Sequence, residues 1–175
     1  MSRAKKIALC GIMSALAVVF LLIGAFTSFS LSASFLAAVC LIANAVLAPK
    51  NFLYVFTCYT VSVVLATFIS GMYLEIITFA LLIAPFTVVK YYVDLTSMRK
   101  LYKWLIKIIT FEICFVAYML FFYFVFPESW NAVFQQSWYL YIILFAAQVS
   151  LFAYDYIFTY IIKWLKAVLP KFFRH

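Results

Sequence analysis

Residues 90–107 read KYYVDLTSMRKLYKWLIK and hold five of the thirteen Lys and Arg residues in a chain of 175. Long apolar runs overlap this stretch at either end, at 72–92 and 104–126. The remaining cations keep to the same kind of place. Arg3, Lys5 and Lys6 precede the first apolar run, Lys50 separates the second from the third, and Lys163, Lys166, Lys171 and Arg174 follow the last. The intervening breaks, near Ser28, Gly71 and Glu128, hold no Lys or Arg. Basic residues gather on the cytoplasmic flanks of membrane spans. The alternation therefore predicts one all-α domain over 1–175, an integral membrane bundle of six transmembrane helices with cytoplasmic N- and C-termini.

Composition points to the same solvent. The chain is 70% hydrophobic and 10% charged, against about half and a quarter in soluble domains. So much apolar surface needs lipid to cover it. The net charge of +8 is spread over helix ends, which suits anionic lipid head groups and argues against nucleic acid as a partner. The expected location is the plasma membrane, and the wealth of Phe, Tyr, Ile and Lys suits a low-GC bacterium.

The expected spans are 7–26, 31–48, 52–70, 72–92, 104–126 and 138–163, each near the ~20 residues that cross about 30 Å of hydrocarbon. Helices are the default because backbone groups must pair within the segment in lipid. Strands of a barrel would alternate in polarity, and none do. The first run is longer than a signal-peptide core and reads as a retained helix. Pro49 marks one turn, Ser70-Gly71 another, and Pro85 is expected to kink the fourth helix. Trp104 and Trp164 fall at the inner boundary, Trp130 and Trp138 at the outer one, as in an aromatic belt.

The chemistry-bearing residues are few. Cys10, Cys40, Cys58 and Cys114 all lie in apolar runs and the sole histidine is His175. No metal, cofactor or catalytic group is expected, and no phosphate-binding GxxxxGK[ST] occurs. Ala4, Ala8, Gly11 and Ala15 share a face of the first helix. Such a face either packs within the bundle or docks a separate membrane subunit. Glu75, Glu112 and Asp155 lie within apolar runs, where a charge costs at least ~2.5 kcal/mol. The topology puts Glu75 near the outer surface, and Glu112 and Asp155 in the inner half. The latter two pair with lysines, with Tyr hydroxyls or with each other. Asn44 is expected to bond a neighbouring helix. Near Glu75 in depth are Tyr73, Trp130, Trp138 and Tyr139, with Gln148 deeper. Aromatic walls with a few polar groups suit a small organic ligand, although the same rings also suit a plain outer belt.

The opening AKKIALCGIMSALAVV (4–19), the segment from Ser32 to Lys90 with its alanine-rich second helix and tight APKN turn, and the six-helix plan resemble the substrate-binding S-components of energy-coupling-factor transporters. That resemblance implies docking through Ala4, Ala8, Gly11 and Ala15 on a scaffold membrane subunit that carries ATPase subunits. It also implies capture of a vitamin-like small-molecule substrate near the outer surface. The first outer loop is shorter here than the loop that lids the ligand in that family. The alternative reading is a non-transporting scaffold of the cell-shape or division type, similar to MreD, which needs packing faces and no cavity. No catalytic constellation suggests an enzyme.

Overall fold

The computed structural model describes residues 3–27, 30–47, 52–71, 73–128, 130 and 137–172; the side chains of 3–6, 30, 31, 47, 137, 140 and 169–172 fall outside that description. Among the described residues there is no strand. The helices are α1 (Arg3–Phe26), α2 (Ser30–Leu47), α3 (Phe52–Ser70), α4 (Leu74–Leu95), α5 (Lys100–Val125) and α6 (Ser137–Phe172). Five are long and apolar enough to cross a membrane, over Ile7–Phe26, Phe52–Ser70, Leu74–Leu95, Lys100–Val125 and Tyr141–Val168. The apolar part of α2, Ser32–Val46, is shorter. These helices suit a multi-pass membrane protein.

The expected boundaries lie close to the observed ones, with two instructive differences. The helix α1 starts at Arg3 and α6 runs on to Phe172. Hydropathy marks where lipid begins, whereas helical hydrogen bonding continues into the basic flanks. At 36 residues, α6 is about 54 Å long at 1.5 Å per residue, well beyond the hydrocarbon thickness. Gly71, with a φ of 86°, turns the chain out of α3. Its N–H reaches the Thr67 carbonyl at 2.8 Å, which caps the helix through a left-handed residue.

Hydroxyls along α3 are satisfied locally. Thr57, Thr60, Ser62, Thr67 and Ser70 each donate to the carbonyl four residues back, so an apolar helix carries them without an unpaired polar group.

The second helix is the centre of the bundle and approaches α1, α3, α4 and α6. Residues 40–45 are buried on every side, as expected of a helix that is apolar all round. Alanines at 17, 33, 37, 38 and 45 are nearly or wholly buried and let α1 and α2 pack backbone to backbone. A smaller core of Phe86, Phe111, Phe115 and Leu151 joins α4, α5 and α6.

Pro85 acts differently from a simple kink. The residues before it, Phe79–Ile83, form a π-helical turn, and Ala84 N–H bonds the Phe79 carbonyl five residues back. The next bond in that register would run from residue 85 to Ala80. Proline has no N–H to make it. The Tyr59 hydroxyl on α3 donates to the Ala80 carbonyl at 2.9 Å instead. A sequence-remote side chain thus completes the interrupted ladder, the kind of repair that lipid requires.

Tyr59→Phe should therefore destabilise the bundle by about 1 kcal/mol, read as a lower thermal midpoint in detergent. In a Pro85→Ala background, where residue 85 regains its N–H, the same change should cost much less.

Candidate functional site: an ion cluster and its clefts

The most unusual side chain is Lys90 of α4, which is 0% exposed. Its Nζ lies 2.5 Å from Asp155 Oδ1 on α6 and 3.3 Å from Asp94 Oδ2 one turn along α4. It also donates to Thr159 Oγ1 at 2.8 Å. Lys107 of α5 approaches the same two carboxylates, at 2.7 Å from Asp94 Oδ1 and 2.9 Å from Asp155 Oδ1. Two lysines and two aspartates from three helices make a neutral quartet. Thr159 in turn donates to the Asp155 backbone carbonyl at 2.7 Å, and Lys103 donates to the Asp94 carbonyl at 3.0 Å.

Local sequence prepares this arrangement. Lys90 and Asp94 are four residues apart, as are Asp155 and Thr159, so each pair shares a helix face. Burial explains the closeness. A charge removed from water must be paired and hydrogen-bonded to be tolerated.

Outward from the quartet lies a cleft of about 380 Å³ between the basic ends of α5 and α6. Asp94, Lys107, Asp155 and Thr159 form its floor, with Trp104, Ile162 and Lys100, Lys103, Lys163 and Lys166 around them. Among the described residues no carboxylate pairs with these last four lysines. Lys166 lies over the Tyr91 ring at 5.7 Å.

A second cleft, of about 270 Å³, lies between α2, α4, α5 and α6. Phe35, Leu82, Ile83, Phe86 and Phe111 form its apolar wall, and Thr78, Ser150 and Tyr154 bring hydroxyls. Tyr154 and Thr87 share a hydrogen bond of 2.6 Å. A third cleft, of about 290 Å³, runs between α5 and α6 past Glu112, Phe115, Met119, Tyr123, Trp130 and Leu144.

The residues grouped by depth in the sequence do not all line one cleft. Trp130 lines the third cleft together with Glu112, and the Gln148 side-chain amide donates to Glu112 Oε1. Glu75 is half-buried in the first turn of α4 and lines none of these clefts. Tyr73 is exposed and meets Phe26 edge-on at 5.8 Å. Trp138 and Tyr139 are exposed and stacked on each other at 4.2 Å. Depth in the bilayer says nothing of angle around the bundle, which explains the scatter.

The acidic residues expected in the inner half also part company. Asp155 pairs with lysines, Glu112 with Gln148, and neither with the other. Asn44 departs from expectation. It is fully buried, and neither Nδ2 nor Oδ1 has a hydrogen-bond partner. Ala8, Gly11 and Ala15 are exposed, and Ala4's side chain lies outside the described residues. A Cβ added at Gly11 would meet nothing within 4 Å. Gly11 and Ala15 border a groove of about 350 Å³ between α1 and α3. Bundle packing therefore does not account for the small residues at 8, 11 and 15.

Position alone makes Lys90 and Lys107 two of the cations that flank the loop between α4 and α5. The signal was present: each lies inside an apolar run, with Asp94 one turn from Lys90. Among the described residues no cluster of His, Cys, Asp and Glu suits a metal ion. No family model, curated protein or solved structure matches the chain.

Removing one partner of the quartet strands a buried charge, so Asp155→Ala should cost about 3–5 kcal/mol. Lys90→Met together with Asp155→Leu, which removes opposite charges as a pair and leaves Lys107 with Asp94, should cost clearly less. Thermal unfolding of the variants in one detergent checks the order.

Proposed function

We propose that this protein is a membrane-embedded capture subunit for a small organic molecule, working with a partner membrane protein in the manner of a transporter S-component. In this reading it crosses the membrane six times, with α2 as the short central span and the basic ends of all helices in the cytoplasm. The cleft between α2, α4, α5 and α6 carries the reading. It is apolar and aromatic with a few hydroxyls at its edge, which is the usual make-up of a small-ligand site. At about 270 Å³ it falls just under the ~300 Å³ lower bound usual for such sites, in keeping with a small vitamin-like molecule.

The uncovered Ala8, Gly11 and Ala15 face supports the partner. Small residues allow close helix approach, and in lipid that packing is a main source of association. The chain holds no nucleotide-binding loop, so work against a gradient would come from partner ATPases. A pure scaffold would use the same face and would have no need of the cleft, which ranks the scaffold second.

Gentle purification from the native membrane tests both parts. Copurifying ATPases and a bound small molecule, seen by mass spectrometry after denaturation, are the expected result. Ala8→Trp should remove the partner proteins while leaving the small molecule bound. Phe86→Trp, which crowds the cleft, should do the reverse. Shape or division proteins as partners, with no small molecule, would favour the scaffold.

A further inference from the structure

The cleft at the basic ends of α5 and α6 contains a charge distribution that the small-molecule reading does not use. Five lysines and two aspartates line it. The aspartates would repel an anion if they faced it alone. Both are neutralised, Asp155 by Lys90 at 2.5 Å and Lys107 at 2.9 Å, and Asp94 by Lys107 at 2.7 Å and Lys90 at 3.3 Å. The local field is then set by Lys100 and Lys103 from α5 and Lys163 and Lys166 from α6. An isolated lysine at a helix end extends its ammonium outward to the interface. Here four converge on one concave surface from two helices, so their charges add within a single space.

The walls suit the remainder of a lipid. Trp104 and Ile162 border the lysines. An indole at this level favours the boundary between head group and acyl chain. The α6 helix runs past its apolar stretch, which ends at Val168, to Phe172. Lys163 and Lys166 lie in the last six residues of that apolar stretch, at its basic end. The volume of about 380 Å³ admits a phosphate with its glycerol unit.

We infer that this cleft binds a phosphate-bearing anion, with the head group of an anionic phospholipid as the occupant the walls favour. Basic pockets between transmembrane helices bind such head groups by direct charge attraction. The ion quartet beneath acts as a neutral floor, which holds α5 and α6 at the spacing that leaves the cleft open.

The full-length protein in neutral detergent provides the test. Phosphatidylglycerol and phosphatidylcholine of the same acyl chains are titrated separately, with bound lipid counted by native mass spectrometry. Phosphatidylglycerol should bind more tightly than phosphatidylcholine, and added salt should narrow the difference. Lys163→Gln with Lys166→Gln should weaken phosphatidylglycerol by about tenfold, while Lys163→Arg with Lys166→Arg should keep it. Both lysines are exposed and lie outside the quartet, so folding should survive and the thermal midpoint checks that it does. Glycerol phosphate in a parallel titration separates the sources. If it binds the wild type with similar affinity and displaces the lipid, the site serves a soluble phosphate; if only the lipid binds, it serves the membrane. Equal binding of both lipids, or a preference untouched by the glutamine pair, overturns the inference.

Discussion

A lysine with no exposed surface holds half of this bundle in register. Lys90 cannot shed its charge to solvent, so it demands carboxylates at contact distance, and Asp155 and Asp94 meet that demand from α6 and from its own helix. Lys107 balances the second negative charge from α5. The net gain of such a cluster over an apolar replacement is small, because desolvation offsets most of the attraction. Breaking it, by contrast, strands a buried charge, so the cluster ties α4, α5 and α6 together at this level.

The other half is held by a different force. The α1–α2–α3 side packs through alanines, cysteines and valines, with Cys10, Cys40 and Cys58 buried as small apolar fillers. Close backbone approach maximises dispersion contacts there. The two halves meet along α4, whose π-helical turn is repaired from α3 by Tyr59. The 270 Å³ cleft opens between α2, α4, α5 and α6, among Phe35, Leu82, Phe86, Phe111 and Tyr154. Fold and proposed function share this asymmetry, since one side is dense enough to dock and the other loose enough to hold a guest.

Helices were easy to read because lipid leaves the backbone little choice. The expected run 52–70 coincides with α3, and 31–48 differs from α2 by a residue at each end. Flanking charge misplaced the ends of α1 and α6, since hydropathy stops before the helix does. The candidate site was less legible. Glu75, Tyr73, Trp138 and Tyr139 share an expected depth, yet Tyr73 meets Phe26, Trp138 stacks on Tyr139, and Trp130 and Gln148 lie by Glu112. Asn44 is expected to bond a neighbouring helix, yet neither its Nδ2 nor its Oδ1 finds a partner among the described residues.

Hydropathy and the cation pattern by themselves determined an all-helical chain suited to a membrane and the approximate run of each helix. Those properties depend on one residue and its sequence neighbours in an apolar solvent. Tertiary structure alone decided which lysine meets which aspartate, that Tyr59 stands in for the N–H missing at Pro85, and that Ala8, Gly11 and Ala15 stay exposed. Each of these depends on the rotation of one helix about its axis relative to another. That angle is set by side-chain interlocking and charge pairing between segments far apart in the chain, and no local pattern encodes it.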